Sequence, residues 1–356
     1  MSASGNATNV QTKSRSPPSE NLLKWVKNHE TASVLILDGG VSTHLENMLS
    51  IHNQCFSSRQ LWSSSLLLDQ LDSFILECHN DFAIAGADIL STVTYQCHFG
   101  APNHLAAVVD DDKMTSMIIQ GIQLARMCTT CYVAVSLGPY GAALADGSEY
   151  RGHYDGITRS SLLEFHRRRM DIATKQNPDA IAFETVPSFE EVSVLTELSK
   201  QNFTNDVAVW ISLSCSKGCL LSDGTQIEKV LDEINRIDPN GDFVHAIGYN
   251  CFHGMYTSSL IEILTHHMAT KGPRRAIVIY PNSGEDWDAH ESCWRKGAGS
   301  PGPNEFATEL YSAISLVEKI WSEYSDLPRP KLILGGCCRT SPATIAALRE
   351  LVDNPP

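Results

Sequence analysis

Short apolar runs rich in β-branched residues recur along the chain, and longer segments with helical spacing separate them. Such runs are typical of buried strands, and strands that alternate with helices indicate parallel βαβ units. The pattern predicts eight units. The predicted strands are 33–37, 88–94, 131–137, 179–183, 207–213, 244–248, 276–280 and 331–334, and the predicted helices are 61–85, 104–127, 160–175, 189–200, 226–237, 258–270, 305–324 and 342–352.

Eight βα units in 356 residues predict a single α/β domain folded as a closed (β/α)8 TIM barrel. A doubly wound open sheet is the alternative, but no G-x-G-x-x-G motif follows the first predicted strand. Residues 1–20 are rich in Ser, Asn, Thr and Pro and predict a disordered tail, so the barrel domain is expected over 21–356. In a barrel of this kind, active sites lie at the carboxyl ends of the strands.

The acidic composition limits the classes of molecule that the protein is expected to bind. A net charge of −14 disfavours nucleic acid and anionic membranes and fits small-molecule substrates. We find no N-terminal signal peptide and no apolar run long enough for a membrane span. With 11 cysteines and no repeating spacing, the sequence predicts a reduced, cytoplasmic protein whose cysteines serve metal binding or catalysis.

Two adjacent cysteines follow the last predicted strand. Gly335 and Gly336 end that strand and let the backbone turn, which brings Cys337 and Cys338 to the rim of the barrel. A disulfide between neighbours is strained, whereas two thiolates together suit a soft metal ion. Cys251, at the end of the sixth apolar run, is the best third ligand. The alternative is that these are buried core cysteines.

Carboxylates also follow two apolar runs. Asp38 ends the first and Glu184 the fourth, so each is partly desolvated and needs a cationic or donor partner. Asp38 could instead cap the following helix, and Glu184 could pair with a barrel Arg or Lys. Aromatic residues near the rim are candidates for holding a cation, namely Trp62, Tyr95, Tyr140 and Tyr280.

Three thiolates with one open position predict a particular zinc chemistry. Such a zinc ion is electron-rich and a poor Lewis acid towards carbonyls, but a thiol that binds it loses its proton. The resulting thiolate can attack a methyl group on a sulfonium or ammonium donor. No catalytic residue beyond the zinc site is needed for that step.

The chain resembles the zinc-dependent homocysteine S-methyltransferases, in the branch that uses S-methylmethionine or S-adenosylmethionine. The motifs that carry the resemblance run in order over most of the chain. They are Leu37-Asp38-Gly39-Gly40, Leu61-Trp62-Ser63, Thr94-Tyr95-Gln96, Gly138-Pro139-Tyr140-Gly141, Ala145-Asp146-Gly147-Ser148-Glu149-Tyr150, Phe183-Glu184-Thr185, Gly248-Tyr249-Asn250-Cys251, Tyr280-Pro281-Asn282-Ser283-Gly284 and Gly335-Gly336-Cys337-Cys338-Arg339.

The resemblance implies a (β/α)8 barrel with one Zn²⁺ on Cys251, Cys337 and Cys338, and with Asp38 and Glu184 holding the amino-acid end of homocysteine. It implies methyl transfer to the zinc-bound homocysteine thiolate, which forms methionine. The betaine-using relatives carry a long C-terminal extension used in oligomer assembly, whereas this chain ends at residue 356, soon after Cys338. The sulfonium-donor branch and a monomer are therefore expected. Family members usually have Val where this chain has Tyr249.

Other functions remain open at this point. One is a betaine- or other-donor thiol methyltransferase of the same fold. Another is a barrel hydrolase or lyase with a cysteine nucleophile and His153, His245 or His253 as base. A non-catalytic zinc or redox sensor is a third, although it would not need Asp38 and Glu184. We also expect Glu285 and Trp287 to shape the donor site.

Overall fold

Eight parallel strands form the central sheet of the protein. The computed structural model describes residues 17–58, 60–100, 106–202, 206–216, 219–284, 287–288, 293–294 and 302–356. The barrel strands are β1 (Val34–Ile36), β2 (Ile89–Ser91), β3 (Tyr132–Leu137), β4 (Ala180–Val186), β5 (Ala208–Leu213), β6 (Ala246–His253), β7 (Ala276–Asn282) and β8 (Leu332–Leu334). Two-residue strands form two small hairpins outside the barrel, 215–216 with 220–221 and 287–288 with 293–294.

The strand order is that of a closed barrel. The sheet runs β1-β8-β7-β6-β5-β4-β3-β2, and each neighbouring pair is parallel. A parallel bridge between Leu37 and Ile89 joins β1 to β2, so the first and last members of that order also meet. Because each strand pairs with its neighbour in sequence, the open doubly wound alternative is wrong and the predicted TIM barrel is confirmed.

Helices surround the strands. They are α1 (Leu22–Lys27), α2 (Val41–Ile51), α3 (Ser65–Leu68), α4 (Asp72–Ala85), α5 (Asp111–Arg126), α6 (Tyr140–Leu144), α7 (Arg159–Thr174), α8 (Phe189–Gln201), α9 (Ile227–Ile237), α10 (Thr257–Lys271), α11 (Pro303–Ser322) and α12 (Pro342–Asp353). Short 3-10 turns cover Trp62–Ser64, Ser148–Tyr150 and Gly254–Tyr256. None of the helices in the described part of the chain has the length and apolar character that crossing a bilayer requires.

The core has two parts. The larger one lies between the strands and the helices, with residues such as Leu45, Ile181 and Leu260 fully buried. The smaller one fills the barrel interior, where Trp210 and Ile333 pack with the apolar side chains of α1. Helix α1 thus closes the barrel at the amino ends of the strands and leaves the opposite end for a ligand.

The eight predicted strands are present, but several boundaries differ. Strands β4 and β6 continue past the predicted ends, through Glu184 and Cys251, with a register irregularity in each. The predicted helix 61–85 is broken into the 3-10 turn, α3 and α4, and the predicted start of the next helix at 104 lies outside the described residues. Helices α1, α2 and α6 were not predicted. Of the predicted tail, residues 1–16 also lie outside the described part.

Candidate active site

A cleft of about 750 Å³, partly open to solvent, lies at the carboxyl ends of the strands. Seven of the eight strands or the loops that follow them contribute to its wall. The lining residues are Asp38, Gly39, Gly40, Val41, Ser42, Thr43, Trp62, Ser63, Ser91, Thr92, Val93, Tyr95, Gln96, Ser136, Glu149, Tyr150, Glu184, Thr185, Asn250, Cys251, Tyr280, Gly336, Cys337 and Cys338.

Three cysteine sulfur atoms converge in this cleft. The Sγ atoms of Cys251, Cys337 and Cys338 all lie within 4.8 Å of one another. The Sγ atoms of Cys251 and Cys338 are 3.7 Å apart. Thiolates on a tetrahedral zinc ion, with Zn–S bonds of about 2.3 Å, stand about 3.8 Å from each other. The donor set and its spacing therefore fit one zinc ion with a fourth position left for a ligand.

The backbone at the cluster is strained. Cys251 has a φ of +55° and Thr185 a φ of +60°, a region that β-branched residues in particular avoid. A residue held in this conformation destabilises the fold by about 1–3 kcal/mol, and the conformation persists only where neighbouring residues hold it. Asn250 supplies that support, because its Oδ1 accepts from the Thr185 backbone N–H at 2.7 Å and its Nδ2 donates to Thr185 Oγ1 at 2.8 Å.

The glycines before the cysteine pair are required by close packing. The Gly336 N–H donates to the Asp38 carbonyl oxygen at 3.0 Å, which joins the ends of β8 and β1. A Cβ atom on Gly336 would lie 2.1 Å from Thr340 Oγ1. That hydroxyl is itself engaged with the Cys337 carbonyl oxygen and the Gly40 N–H. A side chain at this position would therefore displace the turn that carries Cys337 and Cys338.

The three thiols shift one another's pKa values. Hydrogen bonds from Cys337 and Cys338 hold the pKa of Cys251 well below its ordinary value, while their contacts with Cys251 raise the pKa of Cys337 and Cys338. The Tyr150 hydroxyl lies 3.3 Å from Cys251 Sγ and is a further donor to that thiolate. The thiolate form of Cys251 is thus stabilised by its neighbours.

Asp38 faces the cleft and is 1% exposed. Its Oδ2 accepts from the Ser91 N–H at 2.6 Å and its Oδ1 from Ser91 Oγ at 3.0 Å. Burial raises the pKa of Asp38 well above its ordinary value, the Ser91 hydrogen bonds oppose this shift, and the charge of Glu184 adds to it. The alternative that Asp38 caps a helix is wrong, because α2 begins after Gly40 without any side-chain cap.

Glu184 lines the same cleft. Its carboxylate accepts from Ser136 Oγ, and its Oε2 is 3.0 Å from the Tyr280 hydroxyl. Burial raises the pKa of Glu184 to about 7, although both hydrogen bonds act in the opposite direction. Among the described residues, no Lys or Arg lies within ion-pair distance of Glu184, so the salt-bridge alternative is not what the structure shows.

The predicted rim aromatics separate into two groups. Trp62, Tyr95 and Tyr280 line the cleft. Tyr140 does not, because its ring is 3% exposed and packs edge-on against Tyr154 and Phe165. Its inclusion among the rim candidates is wrong. Glu285 lies outside the described residues, as does the side chain of Trp287.

The histidines proposed as bases are not near the cysteines. His245 precedes β6, at the opposite end of the barrel, where its Nδ1 accepts from the Val209 N–H at 3.0 Å. Burial lowers its pKa to about 4. His253 is exposed and caps a 3-10 turn through the Met255 N–H, and His153 is exposed and is not part of the cleft wall. The cleft therefore offers the cysteines no imidazole from this set.

Several cleft residues were not singled out from the sequence. Ser91 and Ser136 hold the two carboxylates, and they lie within strands, where polar side chains carry no distinct signal. Gln96, Glu149 and Tyr150 also line the cleft. Burial raises the pKa of Glu149 to about 7, with the charges of Cys251 and Asp146 adding to the shift. The motif 145–150 was the available signal for Glu149 and Tyr150. It lies well beyond the end of β3, so the rule that active-site residues follow strand ends did not point to it.

Comparisons with known proteins agree on one family. The family model for homocysteine S-methyltransferases matches residues 35–352. The chain is 31% identical to homocysteine S-methyltransferase 1 of Arabidopsis thaliana, over 88% of this chain and 91% of that protein. It is 32% identical to homocysteine S-methyltransferase YbgG of Bacillus subtilis (strain 168), over 89% of this chain and 93% of that protein.

Solved structures agree as well. The oxidized form of the homocysteine methyltransferase MmuM from Escherichia coli superposes with a TM-score of 0.69 at 28% identity, covering 93% of this chain and 99% of that one. The metallated form of MmuM superposes with a TM-score of 0.66 at 28% identity, covering 89% of this chain and 96% of that one. The resemblance inferred from the motifs is thereby confirmed, and the chain belongs to the homocysteine S-methyltransferase family.

Proposed function

We propose that this protein transfers a methyl group from a sulfonium donor, S-methylmethionine or S-adenosylmethionine, to the thiol of homocysteine and so forms methionine. The observation that carries this proposal is the convergence of three sulfur atoms within 4.8 Å in a cleft that two carboxylates flank. The catalytic unit that we propose is the single barrel domain of residues 21–356, acting as a monomer.

Cys251, Cys337 and Cys338 would hold one zinc ion. When bound, zinc supplies an open position at which an incoming thiol is deprotonated near neutral pH. A free thiol has a pKa of about 8.5, so most of it would otherwise be protonated. The residues around the cluster contribute orientation, because Asn250 and Tyr150 fix the position of the sulfur atoms through their hydrogen bonds.

Asp38 and Glu184 would bind the ammonium group of homocysteine. The charge of Glu184 raises the pKa of Asp38, so both carboxylates act in one region of the cleft. A cation between them would offset this repulsion and the desolvation of both groups. Helix α2 begins at the same place, and helix N-termini attract anions such as the substrate carboxylate.

The donor would lie against the aromatic wall. Trp62 and Tyr95 line the cleft, and their ring faces suit a sulfonium cation. The thiolate sulfur of homocysteine forms the new S–CH₃ bond while the S–CH₃ bond of the donor breaks. The bonding electron pair stays on the departing sulfur, which leaves as a neutral thioether. This sequence requires no general base once the thiol has lost its proton.

A reducing compartment suits this site. Three neighbouring thiols oxidise readily, and the ten cysteines whose side chains the structure describes are free. We therefore propose that the protein acts in the cytosol on small-molecule substrates.

A parallel assay tests the function. Purified, reduced protein is incubated with homocysteine and S-methylmethionine, S-adenosylmethionine or betaine, and the methionine formed and the zinc content are measured. We expect methionine from at least one sulfonium donor and none from betaine. A protein that transfers methyl only from betaine, or that forms no methionine while holding zinc, would refute the proposal.

A further inference from the structure

Two acceptor atoms in the cleft lack donors. Glu149 Oε2 and Gln96 Oε1 are buried, and neither has a hydrogen-bond partner among the described residues. Gln96 is 7% exposed, and both side chains line the cleft. A buried acceptor without a partner costs about 1–3 kcal/mol, and in native proteins a partner that is part of a ligand is one explanation. These two atoms therefore indicate where a ligand supplies donors.

The two acceptors belong to one wall of the cleft. Gln96 Nε2 donates to the Ala142 carbonyl oxygen of α6 at 3.2 Å, and the Gly138 N–H donates to the Tyr95 carbonyl oxygen at 3.0 Å. These bonds join the segment after β2 to the segment 138–150 that carries Glu149. The next residue, Tyr150, reaches Cys251 Sγ at 3.3 Å. The segment that carries Glu149 thus contacts both Gln96 and the sulfur cluster.

The chemistry of Glu149 and Gln96 indicates which ligand group would bind them. Glu149 forms no ion pair with any described Lys or Arg. The neighbouring Arg151 pairs with Asp146 at 3.4 Å and acts on Glu149 through its charge alone. A cation can offset the charge of Glu149, but the amide oxygen of Gln96 also needs an N–H or O–H donor. A sulfonium or a quaternary ammonium has no N–H. A primary ammonium group provides both the charge and the donors.

The proposed reaction brings two amino acids into one cleft, each with an ammonium group. Asp38 and Glu184 provide one carboxylate position, and Glu149 provides a second. Glu149 precedes Tyr150, which reaches Cys251 Sγ at 3.3 Å, so the second position also lies near the sulfur cluster. In-line transfer puts the acceptor and donor sulfur atoms on opposite sides of the methyl carbon, so the two amino acids occupy different parts of the cleft.

Resting on the proposed function, we infer that Glu149 and Gln96 bind the α-ammonium group of the methyl donor. They are then specificity residues that select sulfonium donors carrying an amino-acid group. Donors that have the sulfonium alone would bind at the aromatic wall but leave the two acceptors without partners.

The test compares two donors that differ only in the ammonium group, S-methylmethionine and 4-(dimethylsulfonio)butanoate. Glu149→Gln keeps the shape of the side chain and removes its charge. Asp155→Asn is the matched control, because Asp155 is an exposed carboxylate further along the same β3–α7 connection and lies outside the cleft. Initial rates are measured with each donor and with varied homocysteine, and thermal unfolding checks that each variant is folded.

We expect E149Q to raise the KM for S-methylmethionine by about 10- to 100-fold, the effect of losing a charge-assisted hydrogen bond. The KM for homocysteine and the rate with the ammonium-free donor should change less than about 3-fold, and D155N should match the wild type on every measure. Equal losses with both donors, or a raised KM for homocysteine, would overturn the assignment. If the folded wild type forms no methionine from either donor, the proposed function itself fails, and this inference fails with it.

Discussion

Asn250 on β6 and Thr185 on β4 hold each other through two reciprocal hydrogen bonds, of 2.7 and 2.8 Å, across the mouth of the barrel. Each residue lies at a strand irregularity, and the residue after Asn250 is the cysteine with positive φ. Asn250 Nδ2 also lies 3.9 Å from Cys337 Sγ. One amide side chain therefore supports both parts of the sulfur cluster.

Replacing Asn250 should weaken metal binding without removing a ligand. We expect Asn250→Ala to lower zinc affinity by about 10- to 100-fold, as is usual when a group that orients metal ligands is lost. The Thr185 N–H would also be left buried and unpaired, which costs about 1–3 kcal/mol of unfolding free energy. Competition with a chromophoric chelator measures the first effect and urea unfolding the second.

Asn354→Ala is the control for that experiment, since among the described residues the exposed Asn354 bonds only to Glu350. It should leave both quantities unchanged. A variant at position 250 that binds zinc as tightly as the wild type would show that the Asn250–Thr185 contact has no part in forming the metal site.

A buried polar network behind the cleft should contribute strongly to stability. Glu191 is 0% exposed and accepts from the Tyr140 N–H at 2.6 Å, from Tyr154 Oη at 2.8 Å and from His166 Nε2 at 2.8 Å. Removing it leaves several buried donors unpaired. We therefore expect Glu191→Ala to lower the free energy of unfolding by about 3–5 kcal/mol.

The adjacent residue is a matched control for this effect. Glu190 is exposed and pairs with Arg159 on the surface at 2.6 Å. Exposed ion pairs contribute little, so Glu190→Ala should cost less than about 1 kcal/mol. Equal losses from the two substitutions, in urea unfolding at pH 7, would contradict the structural role given to Glu191.

His79 should make the protein sensitive to acid. It is fully buried on α4, neither ring nitrogen has a partner among the described residues, and burial lowers its pKa to about 4. In the unfolded chain the same imidazole takes up a proton near pH 6.5. The unfolded state therefore binds more protons between these values, and stability is lost as the pH falls through this window.

The matching variant is His79→Leu, which cannot titrate. Between pH 7 and pH 5 the wild type should lose about 2 kcal/mol more unfolding free energy than this variant, as measured by urea unfolding at both pH values. If the two proteins lose stability in parallel over that range, His79 is not the source of the acid sensitivity.

The order of the strands was predictable and the geometry of the cleft was only partly so. Runs such as 131–137 are apolar and β-branched, and their alternation with helices admits few other folds. The positive φ values of Thr185 and Cys251 left no sequence signal, because Thr and Cys disfavour that conformation and take it only under tertiary constraint. Helix α2 was missed because Gly40 gives it no side-chain cap.

Site residues that follow strands were predictable from the sequence, whereas site residues in loops were not. Asp38, Glu184 and the three cysteines follow apolar runs directly, so a barrel must bring them to one rim. Glu149 lies in a loop whose path depends on contacts of Gly138 and Ala142 with the preceding segment, and no periodicity reports such contacts. Tyr140 was misplaced for the same reason, because Glu191 and Phe165 draw it away from the cleft.

The most direct measurement is the zinc content and methyl transfer of single cysteine variants, determined on the same reduced preparations. Cys251→Ser, Cys337→Ser and Cys338→Ser should each lose bound zinc and methionine formation together, while the wild type holds about one zinc ion per chain. Cys215→Ser is the control, because Cys215 is half-buried in a hairpin outside the cleft and should keep both properties. A serine variant at any of the three cluster positions that retains both zinc and activity would contradict the account.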